Sequence, residues 1–457
     1  MAASDDLIAG IRPDKLKALA AREARRFAAG RKKTKEALDK GAAPFLDAVP
    51  MHWMKDWPMP FPLLVEKAEG ARLTDLDGYE IDDFCLGDTG SMFGHSPGPV
   101  AKAIRRQARN GLTYMLPTAA ALEAGALLTK RFGDFLWQIA TTATDANRFA
   151  LRVARAVTGK PRVLVFNGCY HGTVDETMVE LRDGKTTARA GLTGQVTDLA
   201  TLATSVEFND LAAVEAALKT GEIAAILTEP VMTNSCMVLP VPGFHDGLRA
   251  LATQYGALLI IDETHTMSSG PGGYTRVHGL DPDIFVTGKC VAGGMPTAVW
   301  GLRPGVAAKY KDYNETRPSG HSGMGTTLSA NPMQFACLRA TLGKVMTKKN
   351  CAHMERGAAR LEQGLNAVIA KHGAPWHVTR VGARVEFICA EGPLRNGTDA
   401  AAAHKPAVEA ALHTALLNRG CLIAPFHNMM LVSPATTKRQ IDRLVAAFDE
   451  ILTDLFS

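Results

Sequence analysis

The chain has 457 residues, of which 46% are hydrophobic and 21% are charged, and its formal net charge is +5. That length exceeds one ordinary hydrophobic core, so we expect two or three packed units. The composition is that of a soluble globular protein, and no apolar run approaches the roughly 18–20 residues that cross a bilayer. The sequence therefore predicts no membrane-spanning segment and no membrane partner.

The charge and cysteine patterns exclude further classes. The basic stretch at residues 22–40 also contains glutamates and alanines and lacks recurring aromatic residues, so we interpret it as a solvated helix face and expect no nucleic-acid partner. The eight cysteines never form a C-x-x-C pair, which indicates reduced residues in or near the core. The first six residues include two acids and no basic start, so we expect no targeting peptide and a cytoplasmic location.

In chain order, the pattern begins with helices. Residues 11–48 are rich in alanine, lysine and arginine and predict one or two helices. Residues 51–62 are too rich in proline for regular structure. Residues 63–79 predict a β-hairpin that closes at Asp77-Gly78.

The middle of the chain, from about 118 to 335, alternates between helical and strand patterns. Helices are predicted over 118–131, 144–158, 210–220 and 245–255. Short apolar strands are predicted over 162–166, 224–228, 258–262 and 284–287. This alternation is typical of the α/β class, with a mostly parallel central sheet covered by helices on both faces.

The pattern changes near residue 336. Helices are predicted over 332–347, 352–372 and 406–419, with a closing helix from Thr437. Strands are predicted near 378–381, 384–388 and 429–433. This order is typical of a smaller α+β domain.

Lys289 is the first residue with a clear chemical meaning. It lies among small and apolar neighbours just after the strand at 284–287, and burial disfavours a charged ammonium. A neutral lysine amine can attack a carbonyl and hold it as a Schiff base. Asp262 ends the preceding apolar strand, and an aspartate there is the usual partner of the pyridinium nitrogen in pyridoxal-phosphate enzymes. If Lys289 and Asp262 bind pyridoxal phosphate, other parts of the chain must supply a phosphate site and groups that stack on the ring.

Two further segments meet those requirements. Residues 141–147 open a predicted helix with hydroxyl-bearing and small residues, which suits phosphate binding by unpaired amides or a plain helix cap. Tyr170, in the loop after the strand at 162–166, can stack on a flat cofactor or form a buried turn with His171. Thr264 would cover the other ring face if the chain stays extended after Asp262.

Other chemistries find less support. His265 and His278 have no further ligands at recognisable spacing, which argues against a metal site. Gly288-Lys289 lacks the earlier glycine and the following hydroxyl of a phosphate-binding P-loop.

Several short motifs occur in an order that is typical of one enzyme family. They are Thr142-Ala143-Thr144-Asp145-Ala146-Asn147, Tyr170-His171-Gly172, Thr228-Glu229-Pro230, Asp262-Glu263-Thr264, Gly288-Lys289, Gly293-Gly294-Met295-Pro296 and Thr327-Leu328-Ser329-Ala330-Asn331-Pro332. Over roughly residues 50–455, they resemble the class III aminotransferases, which are fold-type-I pyridoxal-phosphate enzymes. The resemblance implies a large cofactor-binding domain at 76–335 and a small α+β domain at 336–457. Residues 1–75 would form a helical segment and hairpin that contribute to the small domain and the dimer interface.

The resemblance also implies catalytic roles. Lys289 would form the Schiff base and move a proton between the substrate carbon and C4′ of the cofactor. Asp262 would bind the pyridine nitrogen, while Tyr170 would stack on the ring and Thr264 would back it.

The rest of the implied cofactor site includes a second subunit. Ala143 and Thr144 would hold the phosphate through backbone amides and a hydroxyl. Thr327 would reach the phosphate from the neighbouring subunit, so that a homodimer would be the smallest active unit. The remaining implied cofactor-contacting residues are His171, Glu229 and His265. Many members have a glutamine at the place of His265, near the phenolic oxygen, so this histidine would tune the cofactor bond or only pack.

The chain departs from the family pattern where substrates bind. Residues 424–430 lack an arginine that members binding an α-carboxylate carry, and that arginine can pair with a glutamate at the place of Glu229. The departure argues against a 2-oxoglutarate/glutamate half reaction. Trp53, Trp57 and Phe61 would instead line an apolar substrate pocket, or they would pack at an interface.

We therefore interpret the chain as a pyridoxal-phosphate aminotransferase. It would take an amino group from a small-molecule donor, an amine or β-amino acid with a bulky apolar group, and pass it to a keto acid or other carbonyl acceptor. One alternative is a glutamate-1-semialdehyde-type 2,1-aminomutase, an isomerase with the same motifs. A lyase or decarboxylase on the same scaffold is another. A domain that only binds ligand is disfavoured by the intact Lys289 and Asp262.

Overall fold

The computed structural model describes residues 7–41, 43–320, 322–425 and 427–457. These residues form two units. The first contains the described residues up to Ser96 together with Ala352–Pro393 and Ala403–Ser457, and the second contains Pro97–Cys351 and Leu394–Ala402. The sequence analysis placed the corresponding boundaries at 75/76 and 335/336. The first six residues, on which the predicted location partly depends, lie outside the described residues.

The strands are, in chain order, β1 (Val65–Glu69), β2 (Arg72–Asp75), β3 (Glu80–Asp83), β4 (Leu136–Ala140), β5 (Arg162–Phe166), β6 (Val179–Arg182), β7 (Lys185–Ala188), β8 (Ala203–Val206), β9 (Ile223–Thr228), β10 (Leu258–Asp262), β11 (Ile284–Thr287), β12 (Ala298–Leu302), β13 (His377–Val381), β14 (Arg384–Ile388), β15 (Cys421–Leu422) and β16 (Met429–Leu431). The helices are α1 (Pro13–Gly30), α2 (Lys32–Gly41), α3 (Gly98–Gln107), α4 (Ala119–Phe132), α5 (Ala143–Thr158), α6 (Leu211–Leu218), α7 (Phe244–Gln254), α8 (Gly273–His278), α9 (Pro304–Glu315), α10 (Pro332–Ala340), α11 (Lys348–His372), α12 (Gly397–Ala403), α13 (Pro406–Asn418) and α14 (Lys438–Phe456).

The second unit is built on a seven-stranded sheet with the strand order β4-β12-β11-β10-β9-β5-β8. Strands β8, β5, β9, β10 and β11 run parallel, whereas β12 is antiparallel to both β11 and β4. Strands β9 and β11 are buried along their whole length. Burial on both faces explains why these strands are continuous apolar runs in the sequence. The predicted mostly parallel α/β sheet is confirmed.

The first unit contains two smaller sheets. Strands β1, β2 and β3 form an antiparallel meander, and β15 adds to β3 in parallel. Strands β13, β14 and β16 form an antiparallel sheet. The predicted hairpin within residues 63–79 is present as β1 and β2, but its turn lies at Gly70-Ala71. The predicted closing point is wrong, because Asp77-Gly78 belongs to the next turn, before β3. Gly70 and Gly78 both have positive φ, so either position suits a tight turn.

One predicted helix ends earlier than its apolar pattern. Helix α10 stops at Ala340, and a π-helical turn over Thr341–Val345 separates it from α11. Such turns interrupt helices without a change in residue composition, so the sequence pattern does not reveal them. Within the described ranges, no helix is long and apolar enough to cross a membrane.

Candidate active site

The predicted site residues of the second unit follow the carboxyl ends of neighbouring parallel strands. Tyr170 and His171 lie in the loop after β5, Glu229 follows β9, Asp262 ends β10, and Lys289 follows β11 after one glycine. In the sheet these strands are adjacent, in the order β11-β10-β9-β5. Because they run parallel, their carboxyl ends meet at one edge, where open α/β sheets bind ligands.

Asp262 is held by hydrogen bonds on both of its carboxylate oxygens. Its Oδ2 accepts from Asn147 Nδ2 at 2.8 Å and lies 3.0 Å from Nδ1 of His171. Its Oδ1 accepts from the backbone N of Thr264 at 3.1 Å and from Thr264 Oγ1 at 2.6 Å. Burial alone would raise the pKa of Asp262, but the hydrogen bonds and the charge of His171 outweigh it and hold the pKa below its usual value. The carboxylate therefore stays charged.

His171 is the buried cation that balances this carboxylate. Burial opposes a charged imidazole, but the nearby Cys169 sulfur and the Asp262 carboxylate outweigh burial and raise the pKa of His171 to about 10. The sequence analysis placed His171 among the cofactor-contacting residues. In the structure its Nδ1 contacts Asp262, and a contact between His171 and the cofactor stays a prediction.

Lys289 sits in a strained backbone conformation. Its φ is +46°, in the left-handed region that residues with a Cβ rarely adopt. Such strain costs on the order of 1–3 kcal/mol and clusters at functional sites. The Nζ atom of Lys289 lies 2.9 Å from Nε2 of His265. A Cβ on the preceding Gly288 would lie 2.9 Å from Cβ of Ala143, so the Lys289 loop approaches the start of α5 closely.

The start of α5 is shaped to hold an anion. Helix α5 begins at Ala143, and Thr142 caps it with a side-chain oxygen. The Thr144 Oγ1 accepts from the backbone N of Thr173 at 3.2 Å, which fixes the adjoining loop. A Cβ on Gly172 would lie 2.1 Å from Thr144 Oγ1, so only glycine allows this approach. The backbone amides of Ala143 and Thr144 lie in the first turn of α5, where amides have no partner within the helix and suit phosphate. Phosphate binding by these two residues stays a prediction.

The two predicted ring-facing residues differ in their surroundings. Tyr170 is 40% exposed, so its ring is accessible at the binding edge. Thr264 is buried, and its hydroxyl is bonded to Asp262. The chain turns at Thr264 instead of staying extended, because Asp262 accepts from the Thr264 amide. Stacking by Tyr170 and backing by Thr264 stay predictions.

Glu229 is buried beside this edge. Its Oε2 accepts from the backbone N of Thr233 at 3.2 Å and from the Thr233 hydroxyl. Burial raises the pKa of Glu229. A contact between Glu229 and the cofactor stays a prediction.

A loop that carries Thr327 reaches the same helix start. Ser329 Oγ lies 2.7 Å from Thr326 Oγ1 and 3.0 Å from Thr141 Oγ1. Thr327 itself is exposed. That it binds the phosphate of a neighbouring subunit stays a prediction.

The three predicted substrate-pocket residues lie in the first unit. Phe61 packs on Phe27 with ring centroids 5.0 Å apart, and Trp57 packs edge-on against His413 at 5.5 Å. Trp53 is 40% exposed. Two of the three therefore take part in packing within their own unit, and a pocket role for any of them stays a prediction.

Sequence reasoning missed the role of Asn147. It was recognised only as part of a motif, yet it donates to Asp262 and to the backbone oxygen of His171. The sequence did contain an indication of this role, because Asn147 is a polar residue next to Ala146 and Phe149 on the buried face of α5. A polar residue on an apolar helix face must find a hydrogen-bond partner.

The arrangement fits the fold-type-I enzymes that use vitamin B6. A charged aspartate suits a pyridine nitrogen, a glycine-lined helix start suits a phosphate, and a lysine amine at the same edge suits the aldehyde. Residues 53–452 match the family described as Aminotransferase class-III. The chain belongs to that family, and pyridoxal phosphate is its cofactor.

Several known proteins are similar over nearly the whole chain. A glutamate-1-semialdehyde 2,1-aminomutase from Desulfitobacterium hafniense is 33% identical, over 86% of this chain and 91% of its own length. A glutamate-1-semialdehyde aminomutase from Pseudomonas aeruginosa PAO1, whose crystal structure is known, is 47% identical in sequence. Its structure matches with a TM-score of 0.95 and covers 97% of this chain and 99% of that chain. A lysine-to-alanine variant of the Pseudomonas enzyme was crystallised with PMP, the amino form of the cofactor.

A transaminase of different specificity is also similar. The β-phenylalanine aminotransferase from Variovorax paradoxus is 27% identical, with a TM-score of 0.84 over 96% of this chain and 97% of that chain. The sequence analysis preferred an aminotransferase over an aminomutase. The two aminomutases described above, at 33% and 47% identity, favour the alternative reading.

Proposed function

We propose that the protein is a pyridoxal-phosphate-dependent aminomutase, which moves an amino group between neighbouring carbons of one molecule. The observation that carries the proposal is the 47% identity, over 97% of this chain, to the Pseudomonas aminomutase. The proposed substrate is glutamate-1-semialdehyde. Its amino group would move from carbon 2 to carbon 1, and the carbonyl function would pass from carbon 1 to carbon 2 with loss of one water and uptake of another, so that substrate and product are isomers.

The residues of this chain divide the work of that reaction. When bound, the cofactor supplies an electron sink that makes the substrate carbon acidic. Asp262 would keep the ring nitrogen protonated, because its own charge is secured by His171 and Asn147. The start of α5 would hold the phosphate. Lys289 would take the proton from one carbon and return it to another.

A second candidate is a transaminase that acts between two molecules. It is favoured by the likeness to the β-phenylalanine aminotransferase and by the missing arginine in residues 424–430. Such an enzyme would need a separate carbonyl acceptor and would release two products. An aminomutase needs one substrate and releases one product.

We also propose that the active form is a homodimer. Met115, Leu116 and Leu328 are large apolar side chains with more than half of their surface exposed. Met115 and Leu116 line an open groove of about 640 Å³ together with Thr327. Apolar residues clustered on a surface mark interaction sites. A second copy of the chain would cover them and bring Thr327 to its neighbour's cofactor.

The decisive assay supplies the purified enzyme with glutamate-1-semialdehyde and no second carbonyl compound. The aminomutase proposal predicts sustained turnover to the isomer with the amino group on carbon 1. Lys289→Ala serves as the control and should give none. A reaction that stalls until a keto acid is added would support the transaminase, and release of ammonia or carbon dioxide would support a lyase or decarboxylase.

A further inference from the structure

His265 is a buried histidine in direct contact with the proposed base. It follows β10 in the turn that begins after Asp262 and is 5% exposed. Its Nε2 lies 2.9 Å from Nζ of Lys289. Its backbone oxygen accepts from Ser268 Oγ, which helps fix the turn. The imidazole therefore meets the amine at the atom where the chemistry occurs.

The contact between Lys289 and His265 restricts which of their nitrogen atoms can carry protons. An ammonium can only donate, so a charged Lys289 requires Nε2 of His265 to accept, with the imidazole proton on Nδ1. An imidazolium can donate from Nε2 to a neutral amine. Two positive charges at this distance repel each other, so the contact favours states in which only one of the two groups is charged.

The other ionisable side chains at this edge are held by different partners. Asp262 and His171 bond each other. Glu229 accepts from Thr233, and Glu263 accepts from Thr266 Oγ1 and from the backbone N of Tyr274. Nε2 of His265, in turn, lies within hydrogen-bond distance of Nζ of Lys289.

We propose that His265 is a catalytic residue that exchanges a proton with Lys289. This role deepens the proposed function and rests on it. The neutral amine of Lys289 takes the proton from the substrate carbon and becomes an ammonium. One N–H bond of that ammonium then breaks, its electron pair stays on Nζ, and the proton forms a new bond to Nε2 of a neutral His265. The imidazolium returns this proton to Nζ, and Lys289 delivers it to the second carbon, so that only one of the two groups is charged at any stage and both end neutral.

The glutamine variant separates this role from packing. His265→Gln keeps a side chain that can donate and accept hydrogen bonds, but an amide does not take up a proton in this pH range. His278→Gln is the matched control, since His278 is an exposed histidine on α8. Thermal melting of both variants should match the wild type, which shows that each variant folds.

The first measurement uses the visible spectrum of the holoenzyme as the pH is changed, without substrate. The wild type and His278→Gln should show a titration step between about pH 5 and 8, the range of histidine. His265→Gln should lack it. Because no substrate is present, this result is independent of whether the enzyme is an aminomutase.

The second measurement is turnover. The turnover of His265→Gln should fall about 100-fold, the lower end of what general acid–base groups contribute. The pH dependence of its turnover should lack the step that ionisation of a histidine produces. Retention of the spectral step and of wild-type turnover in His265→Gln would overturn the proposal, since a residue that only packs is replaced well by glutamine.

Discussion

The imidazole of His171 and the carboxylate of Asp262 form a buried ion pair, with Nδ1 and Oδ2 3.0 Å apart. Burial opposes both charges, but the Cys169 sulfur and Asp262 together raise the pKa of His171 to about 10. His171 and the hydrogen bonds from Thr264 and Asn147 lower the pKa of Asp262. A charged aspartate is the form that holds a protonated pyridine nitrogen. The pair therefore links the stability of the fold to the electronics of the cofactor.

His171→Gln should destabilise the protein, because it leaves the buried Asp262 charge without its cation. Breaking one partner of a buried pair costs roughly 3 kcal/mol, which urea unfolding at pH 7 can measure. Since the pKa of His171 is raised from an ordinary value near 6.5 to about 10, its contribution is complete below the lower value. It is lost as the pH rises through about 10.

The difference in unfolding free energy between the wild type and His171→Gln should accordingly shrink as the pH approaches 10. His278→Gln, which changes an exposed histidine, should show no such trend. An equal difference at pH 6 and pH 10 would contradict a charged His171.

Asp262→Asn should lower turnover by about 100- to 1,000-fold, the cost of removing one preorganised electrostatic group. The amide still accepts from Thr264, so the turn after β10 should persist. The measurement is turnover, with circular dichroism as a check of folding. Wild-type turnover in a folded Asp262→Asn protein would remove Asp262 from the mechanism.

Gly172→Ala should weaken cofactor binding through sterics. Gly172 has φ +80°, and a Cβ there would lie 2.1 Å from Thr144 Oγ1. Overpacking of this kind costs about 1–3 kcal/mol, or roughly 5- to 150-fold in affinity. Gly184→Ala is the matched control, because Gly184 also has positive φ (+72°) but no atom within 4 Å of its Cβ position. The dissociation constant of pyridoxal phosphate should rise only in Gly172→Ala; an equal rise in both would mean that backbone strain alone matters.

A mixture of two inactive variants tests the shared site. Lys289→Ala lacks the amine, and Thr327→Ala should bind the phosphate of its neighbour poorly. If Thr327 serves the neighbouring subunit, a mixed dimer contains one site with both Lys289 and Thr327. Mixing the variants under subunit exchange should then restore activity above that of either alone. No recovery, with exchange verified by mass, would place Thr327 in its own subunit's site.

The buried strands were predicted accurately because their physical signal is strong. Strands β5, β10 and β11 begin and end where the apolar runs do, since both faces of a parallel sheet are covered. Strand β4 is an edge strand of the seven-stranded sheet, and several of its residues are exposed or half-buried. It therefore has no continuous apolar run, and it was not predicted. The turn at Gly70 was missed because the Asp-Gly signal at Gly78 is the stronger hairpin marker.

The sequence predicted individual residues of the site but not the contacts between their side chains. Asp262 and Lys289 could be assigned from strand ends and small neighbours. The contact between His265 and Lys289, by contrast, joins two loops that only the packed sheet brings together. Whether His265 packs or takes part in the chemistry was open in the sequence for that reason.

Borohydride reduction tests the attachment of the cofactor to Lys289 most directly. Purified holoenzyme is reduced with borohydride, digested, and mapped by mass spectrometry. The phosphopyridoxyl group should be found on Lys289 in the wild type, and Lys289→Ala should carry none. A label on another lysine, or none in a protein that retains the cofactor's visible absorbance, would contradict the assignment.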